Sequence, residues 1–233
     1  MVNDCGTLPD GSSRALTVTE EIRQQGGKAL ANCDSVADRD TAEKIVTAAI
    51  NHFGQLDIII NNAGILRDKS FLKMSLDDFE EVLRVHLLGA IYITKAAFPF
   101  MQNANYGRIL LTTSAAGLYG NFGQTNYAAA KLGLVGFMNA LKIEGAKHNI
   151  AVNTIAPLAA TDMAGGTFPK EISDKIKPEF VVPMALYLVS NSCRVTGKIL
   201  SAGGGYYSSA QIIEGIGLRL TGSESITVEQ ISE

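Results

Sequence analysis

Apolar and polar positions along the chain follow two alternating periods, which predict strands and helices in turn. The segments LDIIIN, GRILLTTS, NIAVNTIAP and GKILSAGGG are short apolar runs, as in strands buried on both faces of a parallel sheet. Between such runs, apolar residues recur at helical spacing, as in DRDTAEKIVTAAINHFG, which stops at Gly54. The alternation predicts an α/β fold: a doubly wound parallel sheet with helices on both faces.

Helix boundaries are indicated by residues that cap helices. A helix is expected from Ser12 to Gln25, closed by the two glycines that follow, and another from about Leu76 to Met101 after the capping pair Ser75 and Asp78. Further helices are predicted from Thr125 to Lys147 and in KPEFVVPMALYLVS, and short strands at Met1 to Asn3 and in KALANCD. Residues 1–205 are expected to form the domain, and 206–233 a weakly patterned tail.

Composition and charge exclude several classes of function. The 233 residues are 46% hydrophobic and 18% charged, with a net charge of −3, so no basic surface for nucleic acid or an anionic membrane is expected. No apolar run is long enough to span a bilayer. The terminal residues ISE are not a peroxisomal targeting tripeptide, which leaves the cytoplasm as the default location.

The cysteine and histidine spacings predict no metal site. Cys5, Cys33 and Cys193 are odd in number and far apart, which argues against a disulfide framework. The chain has no CxxC or HExxH motif, and its three histidines are scattered.

The stretch TTSAAGLYGNFGQTNYAAAK, from Thr112 to Lys131, carries the most chemistry. Tyr127 and Lys131 are four residues apart on a predicted helix and therefore share one face, and Ser114 precedes them. A lysine ammonium beside a phenol favours the phenolate and lowers its pKa, which suits a tyrosine acid or base. Taken alone, YxxxK can also arise by chance on any helix.

The motifs in their order resemble the short-chain dehydrogenase/reductase family. NNAG at Asn61–Gly64 is followed by Ser114, by Tyr127-x-x-x-Lys131 and by the loop that begins at Pro157 and contains Thr161 and Met163. Within the family, the segments NNAGILRDKSF, RVHLLG, YGNFGQTNYAAAKLGL and NTIAP are similar to the (3R)-hydroxyacyl-CoA dehydrogenase module of peroxisomal multifunctional enzyme type 2. The resemblance spans residues 1 to about 205.

The resemblance implies roles for the matching residues. Tyr127 would act as the general base, Lys131 would lower its pKa and hold the nicotinamide ribose, and Ser114 would bind the substrate oxygen. Asp4 would bind the adenosine ribose and so favour NAD over NADP, and Asp34 would lie near the adenine. The remaining expected cofactor contacts are Asn61, Ala63, Gly64, Pro157 and Thr161.

Plain structural roles compete with these assignments. Asp4 could cap a turn, Asp34 could cap the next helix, NNAG could be a tight strand exit, and Ser114 could be a turn residue. His86 stands where most of the superfamily has Asn. It is a catalytic candidate, and a packed helix histidine is the alternative.

One element of the family pattern is absent from this sequence. The family opens with a strand and a TGxxxGxG turn that leads into a helix, and no such segment precedes Asp4. The expectation is a truncated chain lacking the central strand, in which the strand ending at Asp4 either pairs with LDIIIN or leaves an unpaired edge.

Three hypotheses for function follow. The first is NAD-dependent oxidation of (3R)-3-hydroxyacyl-CoA to 3-ketoacyl-CoA in fatty-acid β-oxidation, in the peroxisome by family resemblance. The second is another reductase of the family, acting on ketoacyl or sugar-alcohol substrates. The third is a catalytically silent chain that keeps only a homodimerisation surface, formed by the helices of Leu76 to Met101 and Thr125 to Lys147.

Overall fold

The computed structural model describes residues 1–161 and 169–217, together with 219, 227, 228 and 231. Its strands are β1 (Val2–Asn3), β2 (Ala31–Asn32), β3 (Ile58–Asn61), β4 (Gly107–Thr112), β5 (Ile150–Pro157), β6 (Ile199–Gly203) and β7 (Tyr206–Ala210). Its α-helices are α1 (Arg14–Gln24), α2 (Arg39–Phe53), α3 (Leu76–Leu83), α4 (Gly89–Ala104), α5 (Ala115–Tyr119), α6 (Thr125–Gly145), α7 (Lys170–Ser173) and α8 (Val182–Val189).

The described strands form two separate sheets. β3, β4, β5, β6 and β7 make a five-stranded sheet in that order, parallel except for the antiparallel hairpin of β6 and β7. β1 and β2 pair in parallel as a second sheet of two strands. The fold is thus the predicted α/β type with a parallel central sheet.

Both faces of the large sheet are covered by helices. Ile109 and Leu111 of β4 point into a core shared with α2, α4 and α6. Leu110 points to the opposite face, where it packs with Leu188 and Val189 of α8. Successive residues of a strand face opposite sides, so the continuous apolar run in β4 is buried throughout, as predicted.

The helix ends predicted at Ser75 and Gly54 form as expected, whereas the cap at the start of α2 was not predicted. The Ser75 side chain accepts a hydrogen bond from the Asp78 N–H at 3.1 Å, and Asp38 caps α2 through the Thr41 N–H at 2.9 Å. Gly54 ends α2 in the left-handed conformation, with φ of 81°, which glycine adopts without strain.

Two expectations about strands are wrong. β3 is not buried on both faces, because Ile58 and Ile60 are 42% and 51% exposed while Ile59 is buried. The sheet also does not end at residue 205, since the turn at Gly204 and Gly205 leads into β7. β1 pairs with β2 and not with β3, which is the unpaired-edge arrangement.

The long helix predicted after Ser75 contains a wider turn. Residues Arg84–Leu88 form a π-helical turn between α3 and α4. The helix therefore continues to Ala104 but contains one turn that is wider than an α-helical turn. Such turns reposition the side chains they carry and frequently occur at functional sites. Here the buried side chain is His86.

Candidate active site

Ser114, Tyr127 and Lys131 lie together at the carboxyl end of β4, as the sequence predicts. Ser114 lies two residues after this strand and caps α5, its Oγ accepting a hydrogen bond from the Ala116 N–H at 3.2 Å. Tyr127 and Lys131 lie one turn apart on α6, and the Lys131 Nζ is 5.4 Å from the centre of the Tyr127 ring. A capping role and a substrate-facing role for Ser114 are therefore compatible.

The pKa of Tyr127 shifts in the direction opposite to the expected one. Burial of the phenol raises its pKa above the usual 10, and the negative charge of Asp68 adds to this increase, while a hydrogen bond with Ser114 opposes it. The expected lowering by Lys131 is not seen, since burial dominates. Tyr127 is consequently a protonated phenol at neutral pH.

Lys131 is buried, and its pKa is lowered towards neutral pH. Only 3% of its surface is exposed, and burial lowers its pKa to about 7. Its Nζ donates a hydrogen bond to the Thr112 carbonyl oxygen at 2.6 Å. This bond holds the Lys131 Nζ at the carboxyl end of β4, close to the Tyr127 ring.

His86 contacts both the NNAG turn and Tyr127. Its Nε2 lies 2.7 Å from the Ile65 carbonyl oxygen and 3.0 Å from the Ile65 nitrogen. Its ring meets the Tyr127 ring edge to face, with centres 5.1 Å apart. Burial, together with the positive charge of Lys131, lowers the pKa of His86 to about 4, so the imidazole is neutral.

A cavity of about 780 Å³ lies beside these groups. It is bounded by the carboxyl end of β1, the whole of β3 and the NNAG turn. The site residues that line it are Asp4, Asp34, Asn61, Ala63, Gly64, His86 and Lys131. Among the described residues, the other predicted site residues do not line it: Ser114, Tyr127, Pro157 and Thr161.

The two expected adenosine-side aspartates lie at the carboxyl ends of the small sheet. Asp4 Oδ1 accepts a hydrogen bond from the Gly6 N–H at 2.7 Å, so it does cap a turn, and its side chain remains exposed. Asp34 does not cap α2, since Asp38 does so. Asp34 instead accepts a hydrogen bond from the Asn32 side chain at 3.0 Å.

The NNAG turn is held to its neighbours by side-chain hydrogen bonds. The Asn61 amide donates to Thr94 Oγ1 on α4 at 3.2 Å, and Thr112 Oγ1 donates to Asn62 Oδ1 at 3.0 Å. Gly64 has no room for a side chain, since an added Cβ would lie 2.2 Å from His86 Cε1. The turn is therefore fitted against the histidine ring.

The loop after β5 is only partly described. Pro157 ends β5, and Thr161 is exposed at the last described position before residue 169. Met163, the other residue of this predicted motif, lies outside the described residues.

The sequence interpretation missed Asn126, which is completely buried beside Tyr127. Its side-chain amide donates to the Arg67 carbonyl at 3.2 Å, and its Oδ1 accepts from the Tyr127 N–H at 2.7 Å. It thereby ties the chain after NNAG to the start of α6. An asparagine at a helix start was the available signal, because such residues satisfy free N–H groups there.

Comparison with known proteins agrees with this geometry. The family model for short chain dehydrogenases matches residues 7–172. The chain belongs to the short-chain dehydrogenase family. Enzymes of this family are oxidoreductases that use a nicotinamide cofactor, so the chain is a nicotinamide-dependent dehydrogenase/reductase.

Two curated relatives show the range of similarity within the short-chain dehydrogenases. Peroxisomal multifunctional enzyme type 2 of Mus musculus is 48% identical over 210 residues, which is 88% of this chain and 28% of the relative. A 3-oxoacyl-[acyl-carrier-protein] reductase of Synechocystis sp. is 35% identical over 203 residues, covering 83% of this chain and 82% of the reductase. The chain thus spans about a quarter of the mouse enzyme.

Solved structures of related proteins have the same fold. Full-length peroxisomal multifunctional enzyme type 2 from Drosophila melanogaster has a TM-score of 0.80 at 38% identity, over 94% of this chain and 38% of that one. A 7α-hydroxysteroid dehydrogenase complexed with NADH and 7-oxo glycochenodeoxycholic acid has a TM-score of 0.78 at 29% identity, over 88% of this chain and 82% of that one.

Residues that line the cavity have chemistry suited to a nicotinamide dinucleotide. The backbone of Ala63 and Gly64 borders the cavity, and the exposed carboxylate of Asp4, also in its lining, is available to ribose hydroxyls. Within the described ranges, no group of three His, Cys, Asp or Glu side chains is placed to hold a metal ion. Nor is any helix in those ranges long and apolar enough to cross a membrane.

Proposed function

We propose that the chain catalyses the NAD-dependent oxidation of (3R)-3-hydroxyacyl-CoA to 3-ketoacyl-CoA. The observation that supports this most is the hydrogen-bonded pair of Ser114 and Tyr127 above the buried Lys131, in a chain 48% identical to part of a peroxisomal multifunctional enzyme. The location proposed with this function is the peroxisome, after the names of these relatives.

The geometry supports the following proposed catalytic roles. Ser114 and Tyr127 would both bind the hydroxyl oxygen at C3 of the substrate, and Tyr127 would take its proton. A bound nicotinamide supplies the hydride acceptor. Lys131, held by the Thr112 carbonyl, would bind the nicotinamide ribose, and its protonated form would offset the charge on the phenolate.

The direction of proton transfer sets the expected pH dependence. Because its pKa is raised, Tyr127 is protonated at neutral pH and ready to donate a proton in the reverse reaction. Oxidation requires the phenolate, and its fraction increases with pH. The oxidation rate is therefore expected to rise from neutral to alkaline pH, while reduction is favoured near neutrality.

The cofactor assignment depends on the small sheet. Asp4 and Asp34 bring two carboxylates to the end of the cavity away from Lys131, and a carboxylate repels a 2′-phosphate. We therefore propose NAD as the cofactor, in contact with Asn61, Ala63 and Gly64 along its length. Pro157 and Thr161 are proposed to contact the nicotinamide end from the loop after β5.

A second candidate function is the reduction of ketoacyl groups on acyl-carrier protein. The similarity to a reductase of this name over 83% of the chain favours it as the alternative. The two functions share the same proton donor and differ in the carrier and in the favoured direction.

We also propose a homodimer that pairs through α4 and α6. Leu132 and Ile143 of α6 are 45% and 72% exposed, and a side chain added at Gly136 would meet open space. Gly133 is not available for this contact, because Leu87 of the same chain packs over it. A partner helix could therefore approach α6 closely at Gly136.

The function is tested with the purified chain, NAD and a pair of 3-hydroxyacyl-CoA enantiomers, by following NADH absorbance. We expect turnover of the (3R) compound only, with a rate that rises with pH. The matched arm uses NADPH and a 3-oxoacyl-acyl-carrier protein, and preference for these substrates would favour the reductase. No turnover in either arm, from a chain that is folded by circular dichroism, would contradict both functions.

Asp4 provides a control for the cofactor assignment. Replacing Asp4 by Ser removes the charge that would repel a 2′-phosphate and should narrow the preference for NAD over NADP by roughly tenfold, the effect of about 1.4 kcal/mol. Asp10→Ser, in the exposed turn before α1, serves as the matched variant. An unchanged preference in Asp4→Ser would contradict the proposed ribose contact.

His86 makes the fold sensitive to acid. The folded-state pKa is about 4 and the unfolded value about 6.5, so below pH 6.5 the unfolded chain binds a proton that the folded chain does not. The stabilisation is complete above pH 6.5 and is lost as the pH falls to 4, a change on the order of 3 kcal/mol. Urea denaturation across this range should show the loss.

The control for this loss is a His86→Gln variant, whose unfolding free energy should depend less on pH over the same range. His52→Gln, at an exposed position of α2, should keep the full dependence. Equal slopes in the wild type and His86→Gln would show that His86 is not the titrating group.

A further inference from the structure

The two cationic residues of the segment that follows the NNAG turn are paired with carboxylates of α3. The Arg67 Nε lies 3.1 Å from Glu81 Oε2, and the Lys69 Nζ lies 2.9 Å from Asp78 Oδ2. Asp68 stands between these two cations in the sequence, and none of the ion pairs among the described residues includes it. The carboxylate of Asp68 is therefore not paired with either neighbour.

Asp68 instead contacts the loop between α5 and α6. Its Oδ2 accepts a hydrogen bond from the Gln124 Nε2 at 2.7 Å, and the oxygen of the same glutamine side chain accepts one from the Asn121 side chain at 2.9 Å. The next residue, Lys69, donates its backbone N–H to the Gly123 carbonyl at 2.9 Å. Two adjacent residues of one loop are thus bound to two adjacent residues of the other.

Gln124 occupies the N-cap position of α6, but its side chain does not cap the helix. Serine, threonine, aspartate and asparagine are preferred at such positions, because their short side chains bind a free N–H group of the first turn. The Gln124 side chain makes no such bond, although its backbone carbonyl accepts one from the Ala128 N–H at 2.7 Å. The side chain at this position therefore serves the contact with Asp68 and not the helix end.

The contact lies on the side of α6 that carries Tyr127. Gln124 and Tyr127 are three residues apart in the first turn of this helix, and residues at that spacing are neighbours on the helix surface. Burial of the phenol is the main cause of the raised pKa of Tyr127, and a hydrogen bond with Ser114 opposes it. The negative charge of Asp68 adds to the increase in this pKa.

Two other titratable groups face the Tyr127 ring, and both are buried. The Lys131 Nζ lies 5.4 Å from the ring centre, and the centre of the neutral His86 ring lies 5.1 Å from it. The two carboxylates of α3 named above are paired with cations, and α5 contributes no charged side chain. Asp68 is exposed, so its charge can be removed without disturbing a buried group.

We propose that Asp68 is a positioning residue for the dehydrogenase reaction proposed above, on which this inference rests: its carboxylate, held by Gln124, acts on the phenol of Tyr127 through its negative charge. The charge favours the protonated phenol over the phenolate. It thereby sets the pH at which the phenolate needed for oxidation forms. Asp68 does not line the cavity assigned to the cofactor, so it acts on the chemistry only through Tyr127.

The test is a pH titration of Tyr127 in the wild type and in Asp68→Asn, read by NMR of isotope-labelled tyrosine. The signal that disappears in Tyr127→Phe is the one to follow. Asparagine can still accept the hydrogen bond from Gln124, so Asp68→Asn removes the charge and keeps the contact. The pKa of Tyr127 should fall by about half a unit, the effect of one charge a short distance away in water.

Two variants and a change of salt separate charge from packing. Asp77→Asn removes another exposed carboxylate, in the first turn of α3, and should leave the titration of Tyr127 unchanged. Asp68→Glu keeps the charge and should titrate like the wild type. The fall in Asp68→Asn should shrink in about 1 M salt, which screens exposed charges. No fall in Asp68→Asn, an equal fall in Asp77→Asn, or a fall that persists unchanged at high salt overturns the proposal.

The part played by Gln124 is measured in a double-mutant cycle. Gln124→Leu removes the side chain that holds the carboxylate, so Asp68→Asn should change the Tyr127 titration less in this background. Equal effects in both backgrounds would remove Gln124 from the proposal.

The kinetic counterpart is the pH profile of hydroxyacyl-CoA oxidation, whose rising limb should move to lower pH in Asp68→Asn by the same half unit, about the effect of one screened charge. The NMR titration uses neither cofactor nor substrate. An unchanged titration therefore overturns this inference whatever the chain oxidises, whereas a shifted titration without turnover counts against the proposed dehydrogenase function alone.

Discussion

Replacing Tyr127 by Phe should lower kcat for hydroxyacyl-CoA oxidation by a factor of about 10² to 10⁴, the range that a positioned acid or base contributes. The phenylalanine keeps the ring contact with His86, at 5.1 Å between centres, and so preserves the packing. It removes the only group in the proposed mechanism that takes the substrate proton. Steady-state rates with NAD and the (3R) substrate measure the effect.

Tyr119→Phe is the matched control. Tyr119 ends α5 near the site and is 75% exposed, and loss of its hydroxyl should leave kcat unchanged. Melting curves of both variants should match the wild type, so that lost activity is not lost fold. Near-normal kcat in Tyr127→Phe would remove Tyr127 from the proton-transfer role.

Replacing Gly64 by Ala should damage both stability and cofactor binding. The added Cβ would lie 2.2 Å from His86 Cε1 and must push the ring or the NNAG turn aside. Overpacking of this kind typically reduces the free energy of unfolding by about 1–3 kcal/mol. Urea denaturation measures this loss, and NADH fluorescence titration should show weaker binding because the turn lines the cavity.

The double variant Gly64→Ala with His86→Ala shows whether the ring is the obstacle. Removing the imidazole makes room for the new methyl group, so the two changes should together destabilise less than the sum of their separate effects. Gly136→Ala, at a helical position with open space, should be neutral or slightly stabilising. Strict additivity in the double variant would contradict the proposed contact.

Sequence patterns predicted the elements whose information is local. Gly54, Ser75 and the buried run of β4 were assigned correctly because a left-handed turn, a capping hydroxyl and a continuous apolar strand each depend on neighbouring residues. The convergence of Ser114 and Lys131 at the carboxyl end of β4 followed from the general placement of sites in such sheets.

Other features depend on contacts between distant parts of the chain. The sequence of β3 is as apolar as that of β4, and only the separation of the two sheets leaves Ile58 and Ile60 exposed. β7 pairs with β6 through a tight glycine turn, although its sequence YYSSA has little apolar content. The raised pKa of Tyr127 likewise results from burial, which helical spacing alone does not reveal.

Because of the π-helical turn at Arg84–Leu88, the position of the His86 side chain depends on the number of residues in this helix. Each residue of an α-helix advances the next by about 100° around the axis. A deletion within α3 or α4 would rotate the two helices by that angle relative to each other, and the face of α4 packed on α2 would turn away. The π turn holds one residue more than an α-helical turn, so a deletion within it would leave that orientation nearly unchanged but would shift His86 away from the Tyr127 ring. The segment should therefore accept substitutions far more readily than changes in length.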